Sequence, residues 1–154
     1  MTPSARKLLS LVLSVAALLG AASASAADGL LTLKSPYPAK ETMNRFEEAA
    51  RQRGLMVFAR VDHAAGAARV GKTLRPTEVL IFGSPQSGTP LMECAQSAGI
   101  DLPMKALVWE DAQGQVWLAY NDPAWLASRH GAATCAAAQA IGKALADLSE
   151  AVVK

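Results

Sequence analysis

The sequence is poor in the residues that most often carry out chemistry. It contains two histidines, two cysteines and only 5% aromatic residues. The cysteines form no CxxC pair, the histidines fall in no HExxH or HxH pattern, and no serine stands in a GxSxG context. These gaps argue against a thioredoxin-like active site, the common zinc sites and a serine hydrolase of the nucleophile-elbow type.

The N-terminal segment has the order of charges and apolar residues that is typical of a signal peptide. A positive stretch with Arg6 and Lys7 precedes an apolar run over residues 8–22, and small residues follow. The run is shorter than the roughly 20 residues that a membrane-spanning helix needs. We predict that residues 1–26 are a signal peptide cleaved after Ala26. Cleavage after Ala24 and a retained N-terminal anchor are the alternatives.

Charge is balanced in the rest of the chain. The sequence has 15 Lys and Arg against 13 Asp and Glu, and the leader contains two of the basic residues and no acid, which leaves 13 of each. No Lys/Arg cluster remains, so we expect no nucleic-acid partner. Residues 27–154 are long enough for one folded domain, and we expect this domain to be periplasmic or secreted, without a membrane span.

Two cysteines, Cys94 and Cys135, remain after removal of the leader. Export to an oxidising compartment permits a disulfide, which we predict for this pair. The first alternative is a pair of buried thiols that pack as small apolar residues. The second is a thiol–disulfide redox protein that cycles this pair.

Hydrophobic periodicity predicts an α+β domain with the order β-α-β-(short α)-β-(short α)-β-β-(short α)-α. The turn composition of residues 111–114 predicts a hairpin between strands 104–110 and 115–120. We therefore predict one curved, mainly antiparallel sheet of four to five strands with helices packed on one face.

Several local features support this assignment. In the strand over residues 55–61, alternation places Leu55, Val57, Ala59 and Val61 on one face. Asp62 and Asp122 are predicted to cap short helices, and Thr134 the last helix. A further short helix is predicted to open at Thr89-Pro90.

Recognisable motifs lie along nearly the whole mature chain, at residues 61–65, 74–83, 88–92, 101–105, 107–111, 120–123 and 129–131. Together they resemble the domain-of-unknown-function 302 family. The resemblance implies a fold similar to the TATA-box-binding-protein-like β-α-β(4)-α arrangement. It implies shape alone, without DNA binding, and it leaves the function open.

Both histidines are candidate functional residues, because imidazole changes charge near neutral pH and binds metals. His63 and His130 with a carboxylate from Glu110 or Asp111 would form a set suited to a divalent metal or to acid–base catalysis. No local spacing supports such a set. The alternative is a structural role at a helix terminus for each histidine.

Polar residues concentrate at the strand-to-helix turns, and this concentration favours a binding cleft. We predict an exported domain that binds a small ligand or a protein partner without catalysis, with a homodimer as one assembly to consider. No cofactor is expected, and the divalent metal or acid–base enzyme is the alternative. Structural roles for these polar residues compete with the cleft: helix caps for the aspartates and a surface salt bridge for the arginine. The candidate ligand-binding residues are Asp62, His63, Arg75, Tyr120, Asn121 and Asp122.

Two further features have structural and functional interpretations. The loop over residues 83–90 could hold an anion at a helix N-terminus, but it lacks a Walker lysine and does not match GxGxxG. Trp109 and Trp117 are predicted to lie near one another across the hairpin. They would pack in the core, in a dimer contact or around an apolar pocket.

Overall fold

The computed structural model describes residues 28–154, so the predicted signal peptide lies outside the described residues. The strands form a single sheet in which every neighbouring pair is antiparallel, which confirms the predicted α+β class. The strands are β1 (Leu30–Ser35), β2 (Met56–Asp62), β3 (Thr77–Gly83), β4 (Met104–Glu110) and β5 (Val116–Asn121), in the spatial order β1-β5-β4-β3-β2.

The helices follow the predicted order along the chain. A short 3₁₀ helix (Gln96–Ile100) comes between the third and fourth of them. The described part of the chain contains no helix of the length and apolarity that crossing a membrane requires. The α-helices are α1 (Ala39–Gln52), α2 (His63–Arg69), α3 (Pro85–Cys94), α4 (Pro123–Arg129) and α5 (Ala136–Val153).

The core lies between the sheet and the long helices α1 and α5. Phe46 of α1 meets Phe82 of β3 edge to face, with ring centroids 5.2 Å apart. Leu145 and Leu148 of α5 are buried in the same cluster, together with Val108 of β4. These contacts place the apolar face of α5 in the core.

The hairpin of β4 and β5 is confirmed, and its tryptophans lie on the sheet face away from this core. Trp109 pairs directly with Trp117, and their rings stack with centroids 6.2 Å apart. Both are only partly buried, whereas Val108 and Leu118 beside them are fully buried on the helix side. Because side chains alternate along a strand, the two indoles face away from α1 and α5.

A β-bulge interrupts β2, so the predicted alternation of this strand is wrong beyond Val57. Val57 pairs with Phe82 and Ala59 pairs with Ile81, so Phe58 is an extra residue between two consecutive partners. An extra residue shifts the following side chains to the other face. Ala59 therefore leaves the core face that Val57 occupies, and Arg60 takes its place there.

Two predicted helix starts are wrong. The helix predicted at Thr89-Pro90 begins at Pro85, because Ser84 serves as its N-cap and accepts a hydrogen bond from the Ser87 N–H at 3.4 Å. Proline suits this first helical position, where its missing N–H removes no helical bond. The N-cap of α5 is Cys135, one residue beyond the predicted Thr134.

Candidate functional site

The residues of the predicted cleft lie at two different ends of the sheet. Asp62 pairs with Glu78, which pairs with Val108 near the end of β4. Tyr120 pairs with Ala106, near the start of β4, and Asn121 and Asp122 continue beyond that end. Met104 is the first residue of β4, and Val108 is the residue beside Glu78. The two are about 13 Å apart along the strand, at about 3.3 Å per residue. The structure therefore does not bring the residues of the predicted cleft together, because the strands separate its two halves.

Both aspartates of the predicted cleft cap helices. Asp62 Oδ1 accepts a hydrogen bond from the Ala65 N–H at 2.8 Å, at the start of α2. Asp122 Oδ1 accepts one from the Ala124 N–H at 2.9 Å, at the start of α4. These bonds satisfy amide groups that a helix start otherwise leaves without a partner. The predicted N-caps are confirmed.

Arg75 and Glu110 meet at the hairpin end of the sheet through the backbone of Glu110. The Nε of Arg75 donates a 3.1 Å hydrogen bond to the Glu110 carbonyl oxygen. Asp111, the next residue, accepts hydrogen bonds from Trp117 Nε1 and from the amides of Gln113 and Gln115. These contacts support the turn between β4 and β5.

Tyr120 is a core residue in the structure. Its side chain is 3% exposed and belongs to the cluster between the sheet and the helices. Burial raises the pKa of the Tyr120 hydroxyl, and the nearby negative charges of Asp122 and Glu150 raise it further. Asn121, the next residue, is exposed. The two residues therefore face different surroundings, as alternation along β5 requires.

His130 lies in a polar cluster at the C-terminal end of α4. Its Nε2 donates to Asp101 Oδ2 at 2.7 Å, and its Nδ1 lies 3.0 Å from Ser97 Oγ. Arg129 Nη1 donates to the other oxygen of Asp101 at 3.1 Å. The His130 side chain is 9% exposed and that of Asp101 16%. The carboxylate that His130 meets is thus Asp101, a partner that sequence spacing did not indicate.

The structure does not bring the two histidines together. His63 is exposed at the start of α2, beyond the Asp62 end of β2. His130 contacts Asp101, which precedes β4 and so lies at the opposite end of the sheet. Within residues 28–154, no group of three His, Cys, Asp or Glu side chains is arranged to hold a metal ion. His63, His130 and Glu110 therefore do not form one site.

Cys94 and Cys135 lie at disulfide-bonding distance, with their Cα atoms 6.1 Å apart. Cys94 ends α3 and Cys135 caps α5, so the bond ties the segment between β3 and β4 to the last helix. The contacts of His130 with Ser97 and Asp101 join the same β3–β4 segment to the end of α4. This geometry agrees with the predicted structural pairing.

A cavity of about 330 Å³ opens where β3 ends and β4 begins. We call it the groove. It lies between the β2 edge, α3, the segment leading to β4, and α5, and a second cavity of about 300 Å³ adjoins it with five shared lining residues. Its lining is Phe58, Gly83, Ser84, Pro85, Ser87, Gly88, Thr89, Met92, Gly99, Leu102, Pro103, Met104 and Ile141.

The groove is apolar and has a few hydroxyl groups at its rim. Ser84 Oγ and Ser87 Oγ lie 3.0 Å apart, and both belong to the first turn of α3. None of the lining residues has a titratable side chain. From the sequence, residues 83–90 were either an anion-binding loop or a tight connection that needs glycine. The signal for the actual arrangement was Ser84-Pro85, an N-cap followed by proline at the first helical position.

One sequence pattern that resembles a phosphate-binding loop is rejected by its structural context. Residues 66–73 match GxxxxGK[ST], which binds phosphate when it follows a strand and opens a helix. Here Gly66 lies within α2, and Lys72 and Thr73 come after that helix ends. The pattern therefore offers a helix C-terminus, which disfavours an anion.

Comparison with known proteins identifies the family. Residues 31–152 match the family described as domain of unknown function DUF302. A solved structure titled uncharacterized conserved protein DUF302 from Bacillus stearothermophilus superposes with a TM-score of 0.74 at 22% identity. The superposition covers 83% of this chain and 100% of the other, and it shows the shared fold.

The curated relatives are longer proteins with a membrane function in their names. Over 102 residues the chain is 53% identical to proteins named fluoride-specific ion channel FluC 1 from Brucella suis biovar 1 (strain 1330) and Brucella abortus biovar 1 (strain 9-941). The match covers 66% of this chain but 40% and 38% of those proteins. Those names give channel activity to the longer proteins. The match over residues 31–152 establishes this protein as a member of the DUF302 family.

Proposed function

We propose that this protein is an exported domain that binds a neutral, largely apolar ligand in the groove without catalysing a reaction there. The observation that carries the proposal is the composition of the groove, which combines apolar walls with a few hydroxyl groups and no titratable side chain. Ligand sites commonly have this composition, because apolar contact supplies affinity and a few polar groups fix orientation.

The position of the groove favours access by a ligand. Phe58, on the β2 bulge, lines the groove and is 54% exposed, so the groove opens at a free edge of the sheet. Met104 and Ile141 form its inner side and are nearly buried. A ligand would thus replace water over apolar surface, which contributes about 25 cal/mol per Å² of area removed from water.

Export is the second part of the proposal. It is supported by the charge and hydrophobicity order of residues 1–26, by the balanced charge that follows, and by the disulfide-bonding distance of Cys94 and Cys135. Signal peptidase cleavage after Ala26 would leave β1, which starts at Leu30, intact. Intact-mass measurement of protein from the periplasm tests this part, and a product in the cytosol that still carries Met1 would contradict it.

A neutral fluorescent probe tests binding in the groove. Nile red titrated into the protein should show a saturable fluorescence increase. The variant Gly88→Trp should lower the affinity at least tenfold, because a Cβ at Gly88 lies 3.5 Å from Leu102 Cδ1, within the groove lining. The matched control is Gly66→Trp, a glycine on α2 whose added Cβ meets only Arg69 Nη2 at 3.9 Å.

Circular dichroism first verifies that both variants are folded. The binding results then support or contradict a ligand site in the groove. Loss of binding in Gly88→Trp with wild-type binding in Gly66→Trp supports the groove. Absence of saturable binding to the wild type, or equal affinity in both variants, contradicts it.

A further inference from the structure

We propose that Ser97 is a nucleophile, activated by His130 and Asp101, that accepts the acyl group of small activated esters. Ser97, His130 and Asp101 form a hydrogen-bonded chain outside the groove, so this inference is independent of the ligand proposed above. Serine, imidazole and carboxylate in such a chain are recognised by geometry and by role, whatever their order in the sequence. Here the ring nitrogens exchange partners relative to the serine-protease triad: Nδ1 faces the serine and Nε2 the carboxylate, whereas in the proteases Nε2 faces the serine.

The two ring nitrogens of His130 have different partners, and this difference sets their roles. Asp101 Oδ2 lies 2.7 Å from Nε2, which places the ring proton on Nε2, where it donates to the carboxylate. The lone pair of Nδ1 then points to Ser97 Oγ at 3.0 Å. This distance lies within the range in which a base removes a proton from a nucleophile.

The surroundings orient the base and leave the nucleophile accessible. Asp101 is held by a second hydrogen bond from Arg129 at 3.1 Å. The side chains of His130 and Asp101 are 9% and 16% exposed, whereas Ser97 is an exposed residue. Partial burial strengthens the bond between carboxylate and imidazole, and exposure allows an ester to reach the hydroxyl group.

The bond between Cys94 and Cys135 also holds Ser97, Asp101 and His130 in place. Cys94 precedes Ser97 by three positions, and Cys135 follows His130 by five. The bond between the two cysteines therefore joins the segment that carries Ser97 and Asp101 to the one that carries His130. Fixing both segments preserves the distance between nucleophile and base, on which such catalysis depends.

The reaction follows from these roles. Ser97 Oγ attacks the carbonyl carbon of the ester while its proton passes to His130 Nδ1. The C–O bond to the leaving group then breaks, and the alcohol or phenol leaves with that proton. Water, deprotonated by Nδ1, releases the acid and restores Ser97. Activated phenyl esters are the substrates expected, because a good leaving group needs little further assistance.

A fluorophosphonate probe tests the nucleophile directly. Ser97 Oγ would displace fluoride from phosphorus, and peptide mass spectrometry would locate the adduct. We expect the wild-type protein to be labelled at Ser97 and Ser97→Ala not to be labelled. Labelling of Asp101→Asn should be about 100-fold slower, which is in the range of general acid–base effects. Ser128→Ala, at an exposed serine on α4, is the matched control and should label as the wild type does.

A second readout separates activation from a purely structural role. Labelling should be about 100-fold slower in folded His130→Ala as well, because this variant removes the base that accepts the Ser97 proton. Thermal melts establish that each variant is folded, and the surface position of Ser97 keeps its variant informative even if His130→Ala unfolds. Absence of an adduct on Ser97 in the folded wild type, or equal labelling of wild type and Asp101→Asn, overturns the proposal.

Discussion

Trp117 donates its indole N–H to Asp111 across the hairpin turn, with Nε1 and Oδ2 2.8 Å apart. The same carboxylate accepts the amide hydrogens of Gln113 and Gln115, each at 2.9 Å. Asp111 therefore joins the turn to the face of the sheet that carries Trp109 and Trp117. Through these hydrogen bonds, one side chain holds both the turn and the first residues of β5 in place.

The contribution of Asp111 should depend on pH. The hydrogen bond from Trp117 is the main cause that lowers the pKa of this carboxyl group. Desolvation opposes it, and the amides of Gln115 and Gln113 and the charge of Arg75 also lower it. A depressed pKa in the folded state stabilises the fold above the unfolded value of about 3.9, and this contribution is lost as pH falls through the folded value. Urea unfolding at pH 7 and pH 3 should therefore show a smaller destabilisation by Asp111→Ala at pH 3.

An Asn variant serves as the control for this prediction. Asp111→Asn retains an acceptor oxygen but loses the charge, so it should destabilise less than alanine at neutral pH. Equal stability of wild type and Asp111→Ala at pH 7 would show that the turn does not depend on this carboxylate.

Gly29 should tolerate no side chain because Trp125 covers it. A Cβ on Gly29 would lie 2.2 Å from Trp125 Cδ2, and its φ of 77° is strained for other residues. Gly54 has a similar φ of 74° but nothing within 4 Å of an added Cβ, so Gly54→Ala measures backbone strain alone. That strain is about 1–2 kcal/mol, and Gly29→Ala should cost clearly more in denaturant unfolding.

A double variant separates the clash from the strain. In a Trp125→Ala background, Gly29→Ala should cost about as much as Gly54→Ala, because the indole is gone. If Gly29→Ala remains equally costly without Trp125, the close contact between the two residues is not the cause.

The link between Cys94 and Cys135 should contribute strongly to stability. The cysteines are 41 residues apart in sequence, and closing a loop of this length is worth about 4 kcal/mol in the chain-entropy model. The variant with alanine at both positions should have a free energy of unfolding lower by about 4 kcal/mol than the oxidised wild type, and should unfold at a lower urea concentration. Wild type kept reduced throughout should behave like the variant, and equal midpoints in oxidised and reduced protein would contradict the prediction.

Arg60 should stabilise the contact between β2 and α1. Its Nη1 donates to Asn44 at 2.7 Å and to Glu47 at 3.3 Å, and its Nε pairs with Glu78. Because the side chains of Arg60, Glu47 and Glu78 are only partly exposed, Arg60→Met should destabilise by about 1–2 kcal/mol at pH 7. Arg51→Met is the control, since its exposed pair with Glu47 on one helix is worth about 0.3–0.5 kcal/mol.

Acid should reduce the effect of Arg60→Met. The hydrogen bond from Arg51 lowers the pKa of Glu47 most, desolvation opposes it, and the hydrogen bond from Arg60 lowers it further. Stabilisation from such a carboxylate is present above the unfolded pKa of about 4.3 and is lost as pH falls through the folded value. Thermal melts at pH 7 and pH 3 check this, and an effect that is unchanged at pH 3 would speak against the ion pairs.

Several features were determined by the sequence because they depend on neighbours along the chain. Asp62 and Asp122 cap helices since their oxygens reach amides two or three residues ahead. The turn at residues 111–114 brings Trp109 opposite Trp117 because a tight turn sets the register of its strands. The element order, the α+β class and the family resemblance follow from the same local patterns.

Other features were decided only by the tertiary structure, since they join segments that are distant in sequence. Asp101 meets His130 from 29 residues away, and the groove combines the β2 edge with α3 and α5. The hydrophobic periodicity of the sequence does not give the strand order, which places Asp62 and Asn121 at opposite ends of the sheet. It also does not give the bulge that turns Arg60 toward α1. Such contacts form when the whole core is packed, because their geometry is set by side chains from all of its layers.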